Sequence, residues 1–145
     1  MKFDQLITSN IKMNNVEHIG IAVKNLAKAE ELYTKLLGVQ SYKREMVENE
    51  GVVTSFFRLG DVKIELLAAL HENSPIAKFI EKRGEGIHHI AFGVKDANVT
   101  LRKKGALGFT LINEIAKNGA DNKQIGFLHP KDTHGVLVEV CSDNS

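Results

Sequence analysis

The segment Glu17–Val23, EHIGIAV, is repeated later in the chain as His88–Val94, HHIAFGV. In both copies a histidine is followed by isoleucine, a small residue, a large apolar residue, a second small residue and valine. The repeated histidines are His18 and His89. Runs of β-branched and small apolar residues are typical of strands, so each copy predicts a strand that starts near its histidine. The repetition indicates that the chain contains two related modules.

Each module also contains a later strand with one carboxylate among apolar residues. These strands are Val62–Leu67, VKIELL, and Val136–Cys141, VLVEVC. Their carboxylates, Glu65 and Glu139, are separated by nearly the same interval as the two histidines. Two histidines and two glutamates at equivalent places in two modules are the residues that a metal site between those modules needs.

Side chains alternate between the two faces of a strand, so the parity of each residue predicts the direction of its side chain. His89 shares a face with Ala91 and Gly93, whereas His88 belongs to the opposite face. By the same alternation Glu65 and Glu139 point away from the apolar residues beside them. We therefore expect His18, Glu65, His89 and Glu139 to converge in one cup.

Two imidazoles and two carboxylates favour one divalent ion with open water positions, such as cobalt, manganese, nickel or zinc. The alternative is that the histidines are hydrogen-bonded within their strands and that the glutamates face solvent. Carboxylates without partners in an apolar cup cost several kcal/mol, and that cost favours the metal site.

The order of predicted elements is βαβββ in each half. In the first half, Asn25 caps a helix that ends at Gly38, and extended runs follow at about 39–47, 52–59 and 62–68. In the second half, a helix capped by Asp96 precedes a weak strand near 109–112 and two further strands. A polar loop, Glu114–Lys123, is predicted to border a ligand. The predicted fold class is α+β, with two tandem βαβββ modules forming a curled sheet around a central metal site.

Length and charge limit the remaining possibilities. A chain of 145 residues suits one domain, which we expect at 14–142, with modules at about 14–70 and 86–142, a connecting helix at about 75–83 and a lead-in at 1–13. Lys and Arg number 19 against 18 for Asp and Glu, so no basic excess indicates nucleic acid. No apolar run is long enough for a membrane helix, and no signal sequence is recognisable, so we expect a cytoplasmic protein.

With these modules and site residues, the chain resembles the vicinal oxygen chelate superfamily, and within it the methylmalonyl-CoA epimerase family. Four stretches carry the closer resemblance: Ser74–Ile80, Gly86–Phe92, Phe127–Lys131 and Gly135–Glu139. The resemblance implies an acyl-CoA substrate, methylmalonyl-CoA, whose C2 is epimerised through a metal-stabilised enolate. It also implies that Glu139 is both a metal ligand and a base, and it allows a homodimer.

One position departs from the pattern of this family. Some of these epimerases carry a glutamate, proposed as a second base, three residues after the glycine that opens the third strand. That glycine is Gly51 here, and the position holds Thr54. Glu65 is the preferred replacement, and a carboxylate of the Glu48–Glu50 turn is the alternative. Glyoxalase I (lactoylglutathione lyase) and a metal-free binding protein of the same fold are the alternative functions.

Overall fold

The computed structural model describes residues 10–144, which form three helices and eight strands. The helices are α1 (Leu26–Leu37), α2 (Pro75–Arg83) and α3 (Ala97–Ala106). The strands are β1 (Asn15–Ala22), β2 (Lys43–Val47), β3 (Val52–Leu59), β4 (Val62–Ala69), β5 (Gly86–Gly93), β6 (Lys117–Asn118), β7 (Lys123–Leu128) and β8 (Val138–Asp143).

All eight strands belong to one mixed sheet, in the order β2-β3-β4-β1-β5-β8-β7-β6. Within each module the first strand runs parallel to the last, since β1 pairs with β4 and β5 pairs with β8. The modules join where β1 and β5, the two repeated segments, pair in antiparallel orientation. The strands that carry the predicted ligands therefore occupy the middle of the sheet, and the α+β class with two βαβββ modules is confirmed.

The helices of the two modules begin at side-chain caps, as the sequence predicts. Asn25 accepts a hydrogen bond from the backbone N–H of Lys28, and Asp96 accepts one from Val99. α1 packs against a cluster that includes Val23 and Phe57, so it covers one face of the sheet in the first module. None of the helices within residues 10–144 is long and apolar enough to span a bilayer.

Two predicted strands differ from the structure. The run expected at about 39–47 is a strand only from Lys43 onward. The strand expected near 109–112 is wrong: the segment makes one isolated bridge, between Leu111 and Leu128. Gly108 has a φ of 105°, so the chain turns into this segment and meets β7 at one point only. The edge strand of the second module, β6, instead lies in the loop predicted to border a ligand.

The predicted lead-in at 1–13 falls partly outside the described residues, because the structure describes none of residues 1–9. The part that is described packs on the second module. Lys104 Nζ donates hydrogen bonds to Asn10 Oδ1 at 2.8 Å and to the carbonyl of Ile11 at 3.0 Å. These contacts attach the start of the described chain to α3.

Candidate metal centre

A cavity of about 260 Å³ lies between the two modules. All four sequence-predicted ligands line it, and all four are buried: His18, Glu65, His89 and Glu139. The loop predicted to border a ligand contributes Lys117, Ala120 and Lys123 to its wall.

Three of these side chains present their donor atoms to one another. Nε2 of His18 lies 3.0 Å from Nε2 of His89. Glu139 Oε2 is 3.4 Å from His18 Nε2, and Glu139 Oε1 is 3.4 Å from His89 Nε2. One ligand atom from each residue lies within 4.8 Å of the others, which is the spacing of a metal-binding group.

Glu65 lies on the other side of the His18 ring. Its Oε2 is 3.2 Å from Nδ1 of His18, so it approaches the nitrogen that faces away from His89. It lines the same cavity and is as deeply buried as the other three residues. The structure thus gathers His18, His89 and Glu139 around one point and places Glu65 next to that group.

Two β-bulges place a second side chain against each histidine. The pairing of β1 with β5 shifts between Val16 and His18, so Glu17 has no partner residue on β5. It shifts again between Gly20 and Ile21, where the partners pass from His89 to Ile87 and His88 is left out. A bulge redirects the side chain of the extra residue, and both Glu17 and His88 line the cavity. Simple alternation had assigned His88 to the opposite face, and that expectation is wrong.

The two bulged residues contact equivalent atoms. Glu17 Oε1 lies 2.6 Å from Nδ1 of His18, and His88 Nδ1 lies 2.9 Å from Nδ1 of His89. A partner on one ring nitrogen fixes the orientation and tautomer of an imidazole whose other nitrogen binds a metal. Both Nε2 atoms are thereby left facing the centre of the cavity.

Gly20 gives the His89 ring the space that it occupies. A Cβ at residue 20 would lie 2.3 Å from Cε1 of His89, which is far inside van der Waals contact. Gly20, in the first copy of the repeat, therefore leaves room for His89, the histidine of the second copy. The ring of His89 thus fills the space beside Gly20.

Burial and mutual charge govern protonation in this cluster. Burial is the main cause that raises the pKa of Glu139 to about 8, and the neighbouring Glu65 and Glu50 carboxylates act in the same direction. Burial alone would lower the pKa of His18, but the Glu139 and Glu65 carboxylates outweigh it and raise that pKa to about 9. The pKa of His89 is lowered, first by burial and then by the charge of His18. Bound protons thus offset the negative charge of the buried carboxylates, and a divalent cation would offset that charge as well.

The donor set fits such a cation. Glu139 Oε2 is buried and has no hydrogen-bond partner among the described residues. A buried polar atom without a partner is costly, and coordination of a metal would remove that cost. Neutral imidazole nitrogens and carboxylate oxygens are suitable ligands for divalent first-row metals.

A chain of ion pairs behind the ligands joins the two modules. Lys63 Nζ lies 2.7 Å from Glu17 Oε2 and 2.5 Å from Asp121 Oδ2, and Lys43 Nζ lies 2.6 Å from Asp121 Oδ1. Lys63 is almost fully buried. Sequence reasoning missed this network, although a signal existed: Lys63 has the same strand parity as Glu65 and therefore lies on the same face of β4.

A second cavity, of about 820 Å³, adjoins the first and is called the outer groove below. It shares Pro75, His88, His89 and Leu137 with the first cavity, which is called the inner cavity below. Three cations of α2 line it, with one acidic residue among them: Lys78, Lys82, Arg83 and Glu81. The outer groove is thus a cationic extension of the candidate metal centre.

Fold and site together define a small two-module protein with a His/Glu centre at the module boundary. Residues 17–127 match the family model of the Glyoxalase/Bleomycin resistance protein/Dioxygenase superfamily, and the chain belongs to that superfamily.

Within the superfamily the chain is similar to several epimerases. It is 40% identical to the ethylmalonyl-CoA/methylmalonyl-CoA epimerase of Cereibacter sphaeroides over 132 residues, which are 88% of this chain and 97% of the relative. It is 38% identical to the mitochondrial methylmalonyl-CoA epimerase of Homo sapiens over 138 residues, which cover 94% of this chain and 78% of the human protein. A solved methylmalonyl-CoA epimerase in complex with methylmalonyl-CoA and NH4+ superposes with a TM-score of 0.88 at 31% identity, covering 92% of this chain and 97% of that one.

Proposed function

We propose that the protein is a metal-dependent methylmalonyl-CoA epimerase, which inverts the configuration at C2 by removing and returning a proton. The observation that carries the proposal is the unpartnered oxygen of Glu139 beside two histidine Nε2 atoms in a buried cavity. Relatives that bear this activity in their names match nearly the whole chain, and this similarity supports the substrate.

The proposed metal ligands are His18, Glu65, His89 and Glu139. The ion is cobalt, manganese, nickel or zinc. When bound, it supplies Lewis-acid polarisation of the substrate oxygens, which stabilises the negative charge that develops when the C2 proton leaves. Glu17 and His88 hold the two rings in the required orientation through their Nδ1 atoms.

Glu139 is the proposed base. It lines the cavity at the module boundary, and its Oε2 has no hydrogen-bond partner among residues 10–144, so this carboxylate can accept the C2 proton. The cavity around it has apolar side chains in its wall, including Leu67, Ile125 and Phe127. Glu65 is proposed as a ligand and is the sequence-based candidate for the second base.

The outer groove is the proposed site for the coenzyme A portion of the substrate. It opens beside the metal centre, and Lys78, Lys82 and Arg83 suit the phosphates of coenzyme A. Glutathione carries no phosphate, so this charge distribution favours an acyl-CoA over the substrate of glyoxalase I.

The test is a substrate comparison with the purified protein loaded in turn with cobalt, manganese, nickel and zinc. One stereoisomer of methylmalonyl-CoA and the glutathione adduct of methylglyoxal are offered in parallel. The proposal predicts epimerisation of the acyl-CoA and no turnover of the adduct. Turnover of the adduct alone would identify a glyoxalase, and binding without turnover of either compound would identify a binding protein.

A further inference from the structure

Epimerisation at this site needs two groups that exchange protons with C2, one on each face of that carbon. Resting on the proposed function, we infer that Glu50 protonates and deprotonates C2 on the face opposite Glu139. Inversion at a carbon requires that the proton leave one face and return to the other. One base in a fixed position serves one face only, so a second group must stand on another wall of the cavity.

Glu50 has the surroundings of such a group. It ends the short 3-10 turn Glu48–Glu50 between β2 and β3, and it lines the inner cavity. Its Oε2 lies 3.1 Å from Nζ of Lys117. Its Oε1 is buried and has no hydrogen-bond partner within residues 10–144. In that range only this atom and Glu139 Oε2 are buried side-chain nitrogens or oxygens without a partner.

Both unpartnered oxygens thus belong to carboxylates of one cavity, and they come from different modules. Glu139 is on β8, in the second module, whereas Glu50 precedes β3, in the first. The two carboxylates therefore stand on walls of the cavity that different modules build.

Contacts from the second module hold the turn in place over the cavity. Lys117 binds Glu50, and Asn49, the residue before Glu50, donates a 2.9 Å hydrogen bond from Nδ2 to the carbonyl of Asn118. Gly51 follows with a φ of 64°, the left-handed conformation that ends the turn. Lys117 is a positioning residue here, because it acts on the substrate only through Glu50.

Glu50 is better placed for this role than Glu65 is. Glu65 Oε2 is 3.2 Å from His18 Nδ1, so this carboxylate is engaged with the candidate metal ligands. Within residues 10–144, Glu50 Oε2 contacts Lys117, and Glu50 Oε1 has no hydrogen-bond partner.

The proton balance closes with these two residues. Glu139 takes the C2 proton, and the electron pair of the broken C–H bond passes into the thioester carbonyl to give an enolate. Glu50, after taking up a proton from solvent, gives that proton to the other face, and a new C–H bond forms. Glu139 ends protonated and Glu50 ends as a carboxylate. Proton exchange with solvent restores the starting state, and the opposite stereoisomer uses the two groups in reverse.

The experiment is C2 exchange in heavy water, measured separately for each stereoisomer with wild type, Glu50→Gln and Glu139→Gln, all at saturating metal. Glu50→Gln is expected to slow epimerisation by about 10²- to 10⁴-fold, the usual contribution of a general acid or base. It should still exchange the isomer whose C2–H faces Glu139, with retention of configuration. Glu139→Gln should still exchange only the other isomer, whose C2–H faces Glu50.

Glu48→Gln is the matched control, since Glu48 is an exposed carboxylate of the same turn that does not line the cavity. It should epimerise and exchange like wild type. Lys117→Met should slow the same isomer as Glu50→Gln, by a smaller factor.

Three results would overturn the role of Glu50 while leaving the proposed function intact, provided that wild type epimerises. The first is exchange of both isomers by Glu50→Gln at wild-type rates. The second is an equal loss of C2 exchange for both isomers in Glu50→Gln. The third is a loss of exchange in Glu50→Gln for the same isomer that Glu139→Gln fails to exchange. Absence of epimerisation by wild type would overturn the proposed function itself.

Discussion

Nε2 of His18 lies 3.0 Å from Nε2 of His89, and each ring has its Nδ1 in contact with the residue that precedes it in sequence. This arrangement follows from the repeat. Each copy of the segment has a bulge just before its histidine, and the antiparallel pairing of the two copies brings the rings together.

The first prediction separates a metal ligand from its neighbour. His89→Ala should abolish binding of a stoichiometric divalent ion, because it removes a nitrogen from the centre. His88→Ala should retain the ion with an affinity about 10- to 100-fold lower, as is usual when the partner of a ligating histidine is lost. Calorimetric titration with zinc or cobalt measures both, and His129→Ala, outside the cavity, is the control. Wild-type affinity in His89→Ala would refute the ligand assignment.

The second prediction concerns the space beside His89. Gly20→Ala should weaken metal binding by at least about 10-fold, since the added Cβ would collide with the imidazole and displace a ligand. Gly105→Ala adds the same methyl group in α3, away from the cavity, and should leave metal affinity unchanged. If both variants bind metal like wild type, the close approach of Gly20 and His89 is not functional.

The third prediction concerns the ion-pair chain. Asp121→Asn should lower the free energy of unfolding at pH 7 by about 1–3 kcal/mol, because buried Lys63 loses one of its two carboxylate partners. Asparagine tolerates the left-handed conformation of residue 121, whose φ is 59°, so the loss reports the charge rather than the backbone. Lys35→Ala, which breaks the exposed pair with Glu31, should change stability by less than about 0.5 kcal/mol.

The effect of Asp121→Asn also has a predicted pH dependence. Burial opposes ionisation of Asp121, but hydrogen bonds from Lys43 and Lys63 outweigh it and lower its pKa from 3.8 to about 2. A carboxyl group with a lowered pKa stabilises the folded state above its unfolded pKa, and that stabilisation is lost as the pH falls. The difference between wild type and Asp121→Asn should therefore shrink between about pH 4 and pH 2 in urea titrations. A difference that stays constant across this window would contradict the assignment.

The fourth prediction concerns the outer groove. The double change Lys82→Ala with Arg83→Ala should raise the KM for methylmalonyl-CoA by about 10-fold and leave kcat unchanged, because it removes phosphate contacts away from the reacting carbon. The methylmalonyl thioester of N-acetylcysteamine, which lacks phosphates, should show no change.

Lys28→Ala with Lys35→Ala is the matched control for that experiment, since it removes the same charge from exposed positions on α1. An equal rise in KM in both double variants would indicate a general effect of net charge and would argue against a phosphate site in the outer groove.

The repeat was sufficient to predict the fold class and four of the residues that line the cavity. His18, His89, Glu65 and Glu139 all follow from strand parity, because alternation holds along β4 and β8 and, from each histidine onward, along β1 and β5. Alternation fails at Glu17 and His88, since a bulge adds one residue to a strand and no glycine or proline directly beside either residue indicates the bulge.

Other features depend on contacts that are distant in sequence. Glu50 and Lys117 are far apart in the chain, and only the closure of the second module over the first brings them together. Asp121 likewise reaches Lys63 through a loop whose left-handed backbone no sequence pattern indicated. The edge strand at Lys117–Asn118 was missed because two residues are too short for any periodic signal.

The most direct test of the account is the fate of the C2 proton when the wild-type protein acts on one stereoisomer of methylmalonyl-CoA in heavy water. With a divalent metal restored after chelation, the account predicts that the other stereoisomer accumulates to equilibrium and that its C2 carries solvent deuterium, as followed by proton NMR. The chelated protein should do neither. Epimerisation at the same rate with and without metal would contradict the metal centre, and an unchanged C2–H signal with the metal-loaded protein would contradict the proton transfer.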